Sequence, residues 1–271
     1  MTTTPATFPP PTGRVRFTGV LASEWTKLRS LRSTVWSLLA ASAVLVGFAL
    51  LFTWGVVTHW EGVGPVERLA FDPTATSLGG VFLAQLPVGV LGVLALGGEF
   101  STGMIRGSFT AVPKRLPVLW GKALVFGCVT AALMTATCLA AFYAGQAVLS
   151  GRSLQTTLGA DGVLRSVVGA AVFLTWVGLF GLGLGAVLRS SAAAIGTLVG
   201  VLLVVPVLVG FLPPGWRDHL ERWLPGSAGG SLMSVHPADA QLTPGGGLLV
   251  LAVDLLAVLG AAAVLLGRRD V

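Results

Sequence analysis

The stretch GGEFSTGMIRGSFTAVPKRLPVLWGK, Gly97 to Lys122, lies between two long apolar runs and decides how the rest of the chain is read. Ser101 or Thr102 can cap a helix start, and Glu99 lies at that end, where the positive pole of a helix dipole favours an anion. Met104, Ile105, Gly107 and Phe109 follow, with Arg106 and Ser108 interleaved. Pro113 then breaks the run ahead of the basic pair Lys114 and Arg115. The pattern predicts a short helix with a capped start and a proline stop, held just outside a bilayer between two spans and open to a cytosolic partner. The alternative is a solvated, positively charged connector that only fixes topology.

Outward from this stretch the chain is apolar almost throughout. Hydrophobic residues make up 54% and charged residues 10%, less than half the usual charged share, which argues against a soluble domain. Six apolar runs are long enough to cross a bilayer: Thr34–Val57, Leu78–Gly97, Leu119–Leu149, Val163–Leu188, Ala192–Leu212 and Leu248–Leu266. The third must tilt or extend beyond the membrane. Pro87 falls inside the second run, and Pro206 is expected to bend the fifth, which neighbouring helices make tolerable. The predicted fold is therefore an all-α, six-helix transmembrane bundle spanning residues 34–271.

Ahead of the bundle, the Pro/Thr-rich residues 1–17 read as a disordered tail, with no apolar core that would make a signal peptide. Over residues 18–33 Leu21, Trp25 and Leu28 recur at helical spacing, while Glu24, Lys27 and Arg29 point elsewhere. That pattern predicts an amphipathic helix lying on the membrane and feeding the first span; a flanking turn of that span is the alternative.

The net charge of +6 comes from basic residues beside apolar spans, where they act as topology signals rather than as a nucleic-acid surface. With both termini cytoplasmic, twelve Lys and Arg residues lie inside and five outside, so Gly97–Lys122 is expected to face the cytosol. The longest outer segment, residues 213–247, opens with PGWRDHLERWLPG. It places Trp216, Leu220, Trp223 and Leu224 on one helical face and Arg217, Asp218, Glu221 and Arg222 on the other. A short helix at the outer interface, capping the bundle, or a plain surface helix both fit.

Within the spans, Gly178, Gly181, Gly183 and Gly185 mark the fourth, and Gly196 and Gly200 form a G-x-x-x-G in the fifth; such residues let helices approach closely in lipid. Asp254 is the acidic residue set well inside a span, either lining a pathway or hydrogen-bonding to a neighbouring helix. Cys128 and Cys138 share one helix about 15 Å apart and cannot bridge. Gly121 and Lys122 lack the spacing of a phosphate-binding loop, and neither H-E-x-x-H nor G-x-S-x-G occurs. These absences point to no cofactor, no metal and no catalytic residues in this chain.

The segments SEWTKLRSLRSTVWSLL, GGEFSTGMIRGSFTAVPKR, WLPGSAGGSL and LLGRRDV together resemble the permease subunits of ABC-2 type (type V) exporters, over Leu21 to Val271. The second segment carries the most specific likeness, in Glu99, Phe100, Gly103, Arg106, Pro113, Lys114 and Arg115. The resemblance implies an amphipathic elbow helix (Trp25, Leu28, Arg29), a coupling loop over residues 97–122 and an outer lid over residues 213–247 (Trp216, Trp223, Pro225). The coupling contacts are Glu99, Phe100, Thr102, Arg106, Phe109, Lys114 and Arg115. It further implies a homodimer or heterodimer in the bacterial cytoplasmic membrane. A separate ATP-binding cassette subunit, holding ATP and magnesium, drives export. Asp254 departs from the apolar or aromatic residues usual in the family's last span. Two other classes stand beside this reading: a membrane scaffold or assembly protein without transport, and a lipid-acting enzyme, which would need a polar cluster.

Overall fold

The computed structural model describes residues 17–30, 32–101, 115–235 and 241–268. Among these residues the chain is helical, with no strand. The elements are α1 (Phe17–Ser30), α2 (Arg32–His59), α3 (Pro65–Leu69), α4 (Pro73–Leu78), α5 (Val81–Ser101), α6 (Arg115–Leu149) and α7 (Val163–Leu188). They continue with α8 (Ser191–Val199), a π-helical turn (Gly200–Val204), α9 (Val205–Gly210), α10 (Pro214–Glu221), α11 (Pro225–Met233) and α12 (Pro244–Arg268). Six helical stretches among the described residues are long and apolar enough to cross a membrane, built on α2, α5, α6, α7, α8–α9 and α12. The contacts of Lys122 with Glu24 and Glu99 bring α1, the last turn of α5 and the start of α6 together at one end of the bundle. Of the tail expected over residues 1–17, residues 1–16 lie outside the described residues, and Phe17 belongs to α1 instead.

Helix α7 is the most enclosed of the six; α5, α6, α8 and α12 pack on it, and α2 packs on α5 and α6. Glycines set how closely they do so. A Cβ on Gly92 of α5 would run into the Gly178 carbonyl of α7, and one on Gly181 into the Gly89 carbonyl. At Gly185 it would lie 2.7 Å from the Val93 carbonyl oxygen. The glycine run of the fourth span therefore makes contacts within the chain: Gly181 and Gly185 face α5, Gly178 faces Phe126 of α6 and Val88 of α5, and Gly183 faces Val258 and Leu259 of α12. Gly196 and Gly200 have open space where a Cβ would sit, so the G-x-x-x-G of the fifth span makes no close approach among the described residues. Specific polar ties add to the packing. The Trp176 indole donates to the Leu251 carbonyl at 2.6 Å, joining α7 to α12, and Ser42 and Thr137 hydrogen-bond at 3.0 Å, joining α2 to α6.

At 35 residues α6 is about 52 Å long, so it overruns a bilayer's hydrocarbon core, as its sequence requires. The bend expected from Pro206 takes the form of a π-turn. Proline has no N–H to offer the carbonyl four residues back, and the turn ahead of it widens until Val205 N–H reaches Gly200 O.

The segment between the fifth and sixth spans departs from its sequence pattern. Helix α10 ends at Glu221 and buries nothing, so Trp223 and Leu224 lie beyond it and the single aromatic face is broken. Both Trp216 and Trp223 are exposed. A second helix, α11, starts with Pro225 in its first turn and packs into the bundle through Pro225, Ala228, Gly229, Ser231 and Leu232. A Cβ on Gly229 would overlap the Phe173 ring, and one on Gly169 of α7 would overlap Leu232, so bare backbone lets α11 in.

Candidate functional site

Four charged side chains meet where α1, α5 and α6 converge. The Lys122 ammonium on α6 sits between two carboxylates, 2.6 Å from Glu24 Oε2 on α1 and 2.8 Å from Glu99 Oε1 on α5. Lys27 closes the group at 2.7 Å from Glu24 and 3.6 Å from Glu99. Glu24 is 3% exposed, Lys122 6% and Glu99 8%. Two carboxylates and two ammonium groups sum to zero, which is the condition for keeping such charge out of water. Burial by itself would lower the Lys27 pKa. The hydrogen bond to Glu24 and the charges of Glu99 and Glu24 outweigh it and hold the amine above its ordinary value. Glu99 Oε2 is buried with no partner among the described residues.

This geometry corrects two expectations. Helix α1 turns Val20 and Glu24 into the bundle, with Leu28 packed on the core, while Trp25 is 52% exposed and Arg29 also faces outward. Residues 17–30 do form a helix, but Trp25 and Leu28 do not share the same surroundings, and Glu24 and Lys27 point inward, where Lys122 and Glu99 carry the complementary charge. Glu99 does not open a new helix. It lies in the last turn of α5, which runs on past Gly97 and Gly98 to Ser101. The dipole at that end disfavours an anion, and the two lysines offset it. Gly97 is needed for close approach: its Cβ would lie 3.1 Å from Ser191 Oγ and 3.6 Å from Gly185 Cα.

Of the seven residues assigned to coupling, the side chains of Glu99 and Phe100 are described, and both are engaged within the chain. The Arg189 guanidinium lies 5.3 Å from the Phe100 ring centroid, tying the end of α5 to the turn between α7 and α8. Arg189 makes that turn in the left-handed region, with φ 54°. Arg115 begins α6. Thr102, Arg106, Phe109 and Lys114 lie outside the described residues, as does the short helix expected there. Asp254 is half-buried on α12 and makes no hydrogen bond or ion pair with the described residues, so the hydrogen bond to a neighbouring helix is not formed.

Sequence reasoning missed Glu24, Lys27 and Lys122 as a unit. A signal was present. Two of the chain's three lysines are in the cluster, and Glu24 and Glu99 are, with Asp270, the acidic residues flanking spans on the basic side. The cluster is charge-balanced and holds no hydroxyl, thiol or imidazole. What it can do is lock three helices in one geometry. Comparison with known proteins finds no family model that matches the chain and no similar curated protein.

Proposed function

We propose that this chain is the permease subunit of an ATP-binding cassette exporter, lying in the bacterial cytoplasmic membrane with both ends inside. The observation that carries the reading is the buried cluster. It welds α1 to the ends of α5 and α6, and the basic segment 102–114 leaves and returns between those two ends. A push on that segment reaches a braced joint rather than a loose loop, and α5 transmits it to α7 through glycine-to-backbone contacts. The chain has no phosphate-cradling loop, so on this reading a separate subunit hydrolyses ATP. Arg106, Phe109 and Lys114 are its docking contacts, while Glu99 and Phe100 act from inside, as the anchor of the segment. Trp25, outward on α1, meets the membrane interface. The fifth span leaves Val207, Leu208, Gly196 and Gly200 uncovered, a surface suited to a second permease, the same or related.

The test is co-purification of tagged protein from its native cells in mild detergent, with ATPase assayed. The reading expects a stoichiometric ATP-binding subunit, lost on Arg106→Glu with Lys114→Glu while membrane insertion persists. Recovery of the bare chain under several detergents would instead favour a scaffold.

A further inference from the structure

A cavity of about 470 Å³ lies at the end of the bundle away from the charge cluster, among α4, α5, α7, the π-turn and α11. Most of its wall is apolar, including Phe82 and Phe173. Asp72 is the ionisable residue in that wall. Its Oδ1 caps α4 by accepting from the N–H groups of Thr74 at 2.7 Å and Ala75 at 3.0 Å, and its other oxygen accepts nothing from the described residues. Gln85, 3% exposed, lines the same space. It donates its amide to the Phe82 carbonyl at 2.8 Å, and its own carbonyl oxygen receives no hydrogen bond from the described residues. Arg165, which holds the carbonyls of Ser234 and Val235, is not part of the lining.

Helix α11 has two unlike faces. On one, Gly229 is forced by the Phe173 ring. On the other, Gly226 and Gly230 border the cavity, and a Cβ at either would meet nothing within 4 Å. Packing does not demand those two glycines, and their smallness keeps the space open. From a drug-sized apolar cavity with one carboxylate, a free amide oxygen, two aromatic rings and no cation among the described lining residues, we infer that the chain binds an amphipathic organic cation here. Among the described lining residues an anion would find only neutral donors, Ser227, Ser234 and the Gln85 amide, and one repelling charge. The inference rests on the exporter reading only for the ligand's role as cargo; binding belongs to this chain alone.

The test uses the full chain in lipid nanodiscs and measures equilibrium binding of tetraphenylphosphonium above that of empty discs. Saturable binding at one site per chain is expected, with tetraphenylborate, an anion of the same shape, failing to compete. Asp72→Asn keeps an oxygen to cap α4 and should weaken binding by about tenfold, the loss of one ionic contact at a partly solvated site. Gly230→Phe fills the space and should abolish binding, and Gly226→Leu does so from the neighbouring turn should the first variant not fold. Absence of saturable binding, equal competition by tetraphenylborate, or affinity unchanged by Asp72→Asn overturns the assignment. Binding without a co-purifying ATP-binding subunit would sink the exporter reading and leave the site standing; the reverse pair of results would do the opposite.

Discussion

Lys122 is the residue on which the junction of α1, α5 and α6 depends, because its buried ammonium lies 2.6 Å from Glu24 and 2.8 Å from Glu99, whereas Lys27 is half-exposed and 3.6 Å from Glu99. Lys122→Met should lower stability by about 3–5 kcal/mol, the range for stranding buried charge, read by unfolding the purified protein in detergent. Adding Glu99→Gln to that variant should restore much of the loss, since Glu24 and Lys27 then remain as a charge-balanced pair 2.7 Å apart. Equal stability of the single variant and wild type would mean that water reaches the cluster freely. Lys27 adds a pH dependence of definite sign. Its folded pKa is raised above 10.5, so its contribution is fully present below that pH and fades as pH climbs through the higher folded value. Lys27→Met should flatten the alkaline limb of a stability profile and leave the rest in shape.

At the scale of elements, the glycines of α5 and α7 and those of α8 make a matched pair of experiments. Gly92→Ala drives a methyl into the Gly178 carbonyl and should cost about 1–3 kcal/mol or more, whereas Gly196→Ala meets open space and should be neutral or gain the helix propensity of alanine. Similar melting temperatures for the two would contradict the close α5–α7 approach. The spans themselves were legible in the sequence, because twenty or so apolar residues in a row admit little else. Val163–Leu188 was bounded to the residue, and Pro206 was read as bending the fifth span, where the structure has a π-helical turn just ahead of it. What could not be read was which neighbour each helix meets. Period places Glu24 opposite Trp25 but cannot say that Lys122, about a hundred residues on, makes the charged face the inner one. The end of α5 was misplaced for the same reason: two glycines look like a stop until the contacts across Gly97 are known. Helix α11 escaped notice because PGSAGGSLM has no apolar stripe; it is held by bare backbone against Phe173 and Leu232 rather than by side-chain area.

For the whole molecule, the two ends differ in kind. One carries the braced, charge-balanced junction and the basic segment between α5 and α6. The other carries an exposed amphipathic helix, a small-residue helix sunk into the bundle and a cavity with one carboxylate. A machine driven from one end and open to its ligand at the other would be built this way. A scaffold has no need of either feature. The most direct test of that central claim is photo-cross-linking in native membranes from a probe at Phe109, in segment 102–114, compared with the same probe at Trp216 on α10. The account predicts an adduct with an ATP-binding subunit from Phe109 and none from Trp216. Adducts from Trp216, or none with a nucleotide-binding protein from either position, would contradict it.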